Sequence, residues 1–276
     1  MCNLYSITKG PQAIRDFARA MRDTTGNGPP LPGVFPDYFA PIVRNATDGV
    51  RELAMARWGM PSPVFALKGR NSDPGVTNVR NVASPHWRRW LAIESRCVVP
   101  FTSFSENEVL SDGSRPPVWF ALNDSRLLAF FAGIWTRWTS VRKVKEGQTT
   151  NDLFAFLTTE PNVLVDAIHP KAMPVILTAP DEVEEWLTMP AGAALNLQQP
   201  LPDGALRIVA RGDRRGDMRP PGGSDRPSRP LKSDSDRKHS SCRNHRALCP
   251  SGSSRERRES SPPPAPACVR AATDRG

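Results

Sequence analysis

The chain has 276 residues, a formal net charge of +9 and a hydrophobic fraction of 38%, enough for one large domain or two small ones. It contains no apolar run long enough to span a bilayer, and its start lacks the charged region and apolar stretch of a secretory signal. These features argue against a membrane-spanning or secreted chain and predict a cytoplasmic one, where disulfides among the five cysteines are not expected.

Taken in chain order, Pro11 to Arg22 reads as an amphipathic helix, with Ile14, Phe17, Ala18 and Met21 on one stripe and Arg15, Arg19 and Arg22 outside it. Gly26 to Pro41 is rich in Gly and Pro and is expected to be irregular. Leu53 to Trp58 suits a strand, and Trp87 to Ile93 a helix. Cys97 to Phe104, Val118 to Leu122, Leu127 to Ile134, Leu153 to Thr158 and Met173 to Leu177 are short apolar runs between turn signals. Cys97 is expected to be a buried strand residue. Pro180 opens a second helix, with Asp181, Glu182, Glu184 and Glu185 in its first turns and Trp186-Leu187 facing inward. Several strands with few helices predict an α+β fold with a mainly antiparallel sheet.

Composition changes abruptly near Gly212. All seven Trp, both Tyr and all eleven Phe precede it. The stretch from Asp213 to Gly276 cannot bury enough apolar surface to offset chain entropy, so a disordered tail is expected there. That stretch also carries 15 of the 37 Lys and Arg and 8 of the 28 Asp and Glu, or +7 of the +9. The expected folded unit, 1–212, is nearly balanced, so a nucleic-acid interface on it must rest on local placement of charge. Within the tail, His239, Cys242, His245 and Cys249 have a zinc-like spacing but no apolar neighbours to form a small core. A basic DNA-contacting arm and an out-of-frame extension of a GC-rich gene are the other readings, the last being favoured.

The chemistry-bearing feature is Met1-Cys2. A small second residue permits removal of the initiator methionine, which would leave an amine and a thiol on adjacent carbons of Cys2. Such a 1,2-aminothiol condenses with an aldehyde and closes a five-membered thiazolidine ring. At neutral pH about a tenth of an ordinary α-amine is unprotonated, and the thiolate is a good nucleophile. The plain alternative is a small residue opening a buried strand. Partners are few: 1–212 holds two histidines, His86 and His169, the latter in a turn-rich segment before an apolar strand. Glu106 ends a strand, and Asn78 and Arg80 sit in Thr77-Asn78-Val79-Arg80. Asn can orient a reacting group, and Arg can grip a phosphate bidentately. Taken singly, each of these is more simply structural or solvated.

Together, Met1-Cys2-Asn3-Leu4-Tyr5, Trp58-Gly59, Thr77-Asn78-Val79-Arg80, Arg96-Cys97-Val98-Val99-Pro100 with Phe104-Ser105-Glu106, Phe130 to Trp135, Phe156-Leu157-Thr158-Thr159 and Ile168 to Leu177 follow one another in a fixed order. This ordered set resembles the SRAP family of abasic-site processing proteins, from Met1 to about Gly212. The resemblance implies a single SRAP-like domain with a barrel-like core and a few flanking helices. It also implies a sensor of abasic sites in single-stranded DNA that forms a thiazolidine crosslink through its N-terminal cysteine in the SOS response. By position, Cys2 would be the nucleophile and Asn78 would hold cysteine and sugar. Glu106 would serve as acid and base, and His169 would assist proton transfer. Arg80 would contact phosphate, Lys171 a second phosphate, and Thr158 would belong to the DNA-binding set. Trp58, Trp87 and Trp90 are candidates for stacking on bases, with a core position the simpler reading for Trp58. No cofactor, metal or membrane is implied. A monomer is expected, in the cytoplasm and on the nucleoid when crosslinked.

Three departures from the family pattern stand out. Ser103-Phe104-Ser105-Glu106-Asn107 replaces Gly-Phe-Tyr-Glu-Trp, and Asn78-Val79-Arg80 replaces Asn-Ala-Arg. His169-Pro170-Lys171-Ala172-Met173-Pro174 is one residue longer than His-x-Arg-x-Pro, a difference that falls on the second phosphate contact. Two other functions remain open at this point: a cysteine-type peptidase acting on its own N-terminus or on other proteins, and a non-covalent single-stranded DNA-binding module.

Overall fold

The computed structural model describes residues 2–26 and 28–212. The expectations for Asp213 to Gly276, the zinc-like cluster included, lie outside the described residues. In chain order the elements are β1 (Leu4–Ile7), α1 (Pro11–Ala18), β2 (Arg22–Asp23), β3 (Leu31–Val34), β4 (Phe39–Asn45), β5 (Arg51–Trp58), β6 (Asn78–Val79) and α2 (Pro85–Arg88). There follow β7 (Arg96–Phe101), β8 (Ser103–Asn107), β9 (Pro117–Ala121), β10 (Ala129–Val141), β11 (Gln148–Thr159) and α3 (Val163–Asp166). The last are β12 (Met173–Pro174), β13 (Ile176–Leu177), α4 (Pro180–Thr188), α5 (Ala191–Ala194) and β14 (Arg207–Arg211). Among the described residues, no helix is long and apolar enough to cross a membrane.

The α+β, mainly antiparallel expectation holds. In the larger sheet, β11, β10, β7, β4 and β5 are successive neighbours, and β5 pairs back onto β11 in parallel. These five strands therefore form a closed ring, which removes two sheet edges. A second, antiparallel sheet runs β14-β9-β8-β1-β3. Both sheets share one aromatic core. Phe101 stacks on Phe131 at 3.9 Å between centroids, Phe104 stacks on Phe120 at 5.3 Å, and Tyr5 meets Trp58 and Phe131 edge-on. Offset and edge-to-face contacts of this kind add to the area these rings bury.

Most strands lie where the apolar runs place them, and Cys97 is fully buried on β7. Helix α1 ends four residues earlier than its stripe suggests. Arg19 turns left-handed (φ 54°), and Met21 N–H bonds the Arg51 carbonyl at 2.9 Å, so the chain leaves the helix to join β5. Met21 is consequently exposed, while Ile14 and Ala18 are buried. The Gly- and Pro-rich stretch expected to be irregular contains β3, whose Pro32 is tolerated because β3 is an edge strand. The β10–β11 hairpin continues well beyond its apolar half, in register from Gly133↔Phe156 to Val141↔Gln148. Its outer half is polar and exposed, which masked it in the apolar pattern.

Helix α4 begins with Glu182 reaching back to the N–H groups of Thr178 (2.6 Å) and Ala179 (3.0 Å), which satisfies donors left open at a helix start. Its Trp186 is buried, and its indole N–H is shared between the Cys97 carbonyl at 2.9 Å and the Gly133 carbonyl at 3.1 Å. That bond pins α4 to the centre of the ring. Trp186→Phe keeps most of the apolar contact but leaves these buried carbonyls without the indole donor. Urea unfolding should show a loss of about 2 kcal/mol.

Candidate active site

The first strand brings the start of the chain to Glu106. Leu4 pairs with Ser105 and Tyr5 with Phe104, so Cys2 precedes the pairing at one end and Glu106 follows it at the same end. Side chains alternate along a strand, so Glu106 shares the face of Phe104. That face points into the core, and Glu106 is only 3% exposed. Burial pushes its carboxyl from 4.5 up to about 7, with the positive charge of the amino terminus acting in the opposite direction.

Strand β11 organises the other components. On one side Phe156 pairs with Asn78 and Leu157 with Val79; on the other Thr158 pairs with Pro174 and Thr159 with Met173. One strand thus places Asn78 and the segment carrying His169. That segment is held by α3, capped by Asn162, and by the His169 N–H bond to the Val165 carbonyl at 2.7 Å. Asn78 donates from Nδ2 to the Cys2 carbonyl at 2.9 Å and to Thr77 Oγ1 at 2.8 Å. Its Oδ1 is buried and accepts no hydrogen bond.

Cys2 is fully buried, and its thiol lies 3.5 Å from the Leu4 carbonyl. Burial, and next the charge of Glu106, push the thiol well above its usual range. His169 Nε2 is 4.0 Å from Glu106 Oε2. Burial first, then nearby positive charge including Lys171, lower the imidazole below its ordinary value, which favours its neutral form. A neutral imidazole beside a carboxyl poised near 7 is an arrangement able both to give and to take protons at neutral pH. Asn78→Ala removes the donor that holds Cys2. It should cost about 1 kcal/mol of stability and speed alkylation of the Cys2 thiol, read by mass spectrometry of the N-terminal peptide.

A cleft of about 590 Å³ opens beside Glu106, lined also by Asn3, Phe35, Thr77, Ser105 and Arg115 among others. Arg115 lies between β8 and β9, two residues before β9 begins at Pro117. It adds a cation to the cleft lining. Arg80 is half-exposed. It donates to the Lys171 carbonyl and stands 3.5 Å from Glu160. The Lys171 side chain is exposed. Thr158 is buried with an unpartnered Oγ1, and Gln198 bridges its carbonyl to that of Arg80.

The tryptophans stand elsewhere. Trp58 is fully buried and donates its indole N–H to the Thr77 carbonyl at 3.1 Å, so it braces the Asn78 segment from behind and presents no open ring face. Trp87 and Trp90 do not line the cleft. They pack edge-on with His86, and Arg89 lies 3.9 Å over Trp90. Among the described residues, no cluster of His, Cys, Asp and Glu could hold a metal ion.

Residues 1–210 match the family model described as SOS response associated peptidase (SRAP). Over 140 residues the chain is 34% identical to abasic site processing protein YoqW of Bacillus subtilis (strain 168), covering 49% of this chain and 57% of the relative. Over 138 residues it is 33% identical to abasic site processing protein YoaM of the same organism, covering 49% and 56%. The chain thus spans just over half the length of these curated relatives. A crystal structure of a protein from Bordetella bronchiseptica shares the fold with a TM-score of 0.58 and 24% identity, over 75% of this chain and 97% of that one. Another from Bacteroides thetaiotaomicron gives 0.55 and 22%, over 75% and 90%. The match over nearly all of the described residues, together with the assembled Cys2, Asn78, Glu106 and His169, leads to one conclusion: this chain belongs to the SOS response associated peptidase (SRAP) family.

Proposed function

We propose that this protein processes abasic sites in single-stranded DNA, forming a covalent thiazolidine linkage through Cys2 once Met1 is removed. The observation that carries this reading is the placement of Cys2. It is the second residue of the chain, its carbonyl is held by Asn78, and its thiol lies in the field of a Glu106 carboxyl 4.0 Å from His169. The names of the relatives, abasic site processing proteins, point the same way.

The chemistry runs as follows. An abasic sugar rests mainly as a closed hemiacetal. The protonated Glu106 carboxyl gives its proton to the ring oxygen while neutral His169 takes the proton of the C1′ hydroxyl, and the ring opens to an aldehyde. The Cys2 amine adds to C1′, and the carbinolamine hydroxyl leaves as water after protonation by an acid of the pair. The Cys2 sulfur then adds to the imine carbon as the nitrogen gains a proton. One C–N and one C–S bond form, and one water is lost. Asn78 Oδ1, buried without a partner in the Met1-bearing chain, is the acceptor for an N–H of the released amine. Arg80 and Arg115 supply cationic contacts for flanking phosphates. Residual lyase-type or peptidase activity would arise from the same carboxyl and imidazole.

The test is incubation of protein of verified intact mass with a single-stranded oligonucleotide bearing one abasic site. A heat- and SDS-stable adduct with the abasic strand, and none with the intact strand, is expected. Cleavage of a supplied peptide without any adduct would favour a peptidase. Equal, purely reversible retention of both strands would favour a non-covalent binder.

A further inference from the structure

The geometry points to Arg142 as a positioning residue for the Cys2 site. It touches none of the reacting groups, and it lies just past the end of β10, in the charged run Arg142-Lys143-Val144-Lys145-Glu146 that reads as a solvated hairpin end. Yet its side chain is fully buried. The guanidinium makes three bonds in three directions. Nε donates to Asp37 Oδ1 at 3.1 Å, Nη1 to the Gly59 carbonyl at 2.9 Å, and Nη2 to the Pro74 carbonyl at 3.2 Å.

The slot it fills is made by two glycines. A Cβ at either Gly59 or Gly75 would lie 2.4 Å from the guanidinium, and both residues have positive φ, 135° and 77°. Only a residue without a side chain adopts these conformations without strain and also leaves the space. The anchor on the other side is Asp37, itself left-handed (φ 72°) and bonded through its N–H to the Trp58 carbonyl at 2.9 Å. Its carboxylate also receives Arg57 at 2.7 Å and Lys143 at 2.9 Å, so the buried Arg142 charge is compensated within a network.

Two of the segments that line the cleft end on this one side chain. Phe35 and Pro36, just before Asp37, form one wall; Pro74, Gly75 and Thr77 form the other. The second wall continues directly into Asn78, the residue that holds the Cys2 carbonyl. Arg142 thus fixes the offset between the Phe35–Asp37 wall and the Pro74–Asn78 wall, and Asn78 transmits that offset to Cys2. A planar fork can reach two carbonyls and a carboxylate at once. A lysine ammonium in the same place cannot hold that geometry, although it keeps the charge. A misplacement of about 1 Å at a reacting centre can cost up to about 100-fold in rate.

This inference rests on the thiazolidine reading only for its kinetic arm. In that arm, single-turnover adduct formation is followed with the full chain, Met1 removed, on an abasic single-stranded oligonucleotide. Arg142→Lys should lower the rate at saturating oligonucleotide about tenfold or more while half-saturation moves less than about twofold. The double variant with Asn78→Ala should be no more than about twofold slower than Asn78→Ala alone, because both act through one contact. Gly75→Ala, which places a methyl in the guanidinium slot, should reproduce the effect with Arg142 intact. Trp186→Phe serves as a remotely destabilised control whose rate per folded molecule is unchanged. The second arm uses no DNA: native-state alkylation of Cys2 by iodoacetamide should be faster by about tenfold in Arg142→Lys, as the Asn78 grip loosens. If the parent forms no adduct, the proposed function fails and the alkylation arm still decides on Arg142. Parental Cys2 alkylation in Arg142→Lys, or losses that multiply fully with Asn78→Ala, would overturn the assignment.

Discussion

Cys2→Ala is expected to abolish the abasic-site adduct completely, with the far-ultraviolet spectrum and unfolding transition close to those of the parent. Alanine fits the fully buried Cys2 position with the loss of only one sulfur atom, so the fold should survive. Cys2→Ser is the sharper variant. It keeps the amine and therefore the imine, but its hydroxyl is a far weaker nucleophile than a thiolate. Adduct that withstands heat should fall by at least about 100-fold, while borohydride, which reduces an imine to an amine, should restore trapping. Blocking Met1 removal, by inserting a lysine between Met1 and Cys2, should also eliminate the adduct although the thiol remains. Loss of the adduct on blocking, with the thiol intact, separates aminothiol chemistry from simple thiol attack.

Glu106→Gln is expected to act in opposite directions on stability and on rate. In the folded state Glu106 keeps its proton up to about pH 7, whereas the unfolded chain releases it near 4.5. Between those values the folded state binds more protons, so the stability of the parent falls as pH rises through that window. Glutamine, neutral throughout, lacks this dependence. At pH 8 the variant should therefore be more stable than the parent by roughly 1–3 kcal/mol, and at pH 4 about equal to it. Its adduct rate should nevertheless fall by about 10²–10⁴-fold, the usual contribution of a positioned acid–base group. The inflection near pH 7 in the parent's rate profile should vanish. Urea unfolding at the two pH values and single-turnover kinetics over pH 5–9 check both halves. A variant less stable than the parent at pH 8 would mean that the carboxylate is held by compensating contacts and not penalised by burial.

What was legible in the sequence follows the apolar signal. Of the ring strands, β7, β10 and β11 contain uninterrupted buried runs, β5 is buried on either side of the exposed Met55, and α4 buries Trp186 and Leu187. The candidate site residues stood out by type and order: Cys2 as the second residue, and Glu106 at the end of a strand. What brings them together was not. Strand β6 is two residues long, and Asn78 reaches the site only because β6 pairs in parallel with β11. Such a pairing leaves no periodic trace. Trp58 was legible as well: of its two readings, stacking and core, the core one holds, and its indole supports Thr77 from within. Arg57 and Arg142 were illegible for a different reason. A buried cation is rare unless it is paired, so a sequence reading assigns charge to the surface. Here Asp37, left-handed and apart in sequence from both, gathers them beneath the cleft walls.

The most direct test of the central claim is the mass of the N-terminal peptide released by protease from the adduct formed on an abasic oligonucleotide, after nuclease digestion. Thiazolidine formation predicts a peptide that begins at Cys2, lacks Met1, carries the sugar remnant with the loss of one water, and resists iodoacetamide. A peptide that retains Met1, or a sugar adduct whose Cys2 thiol still alkylates, would contradict it.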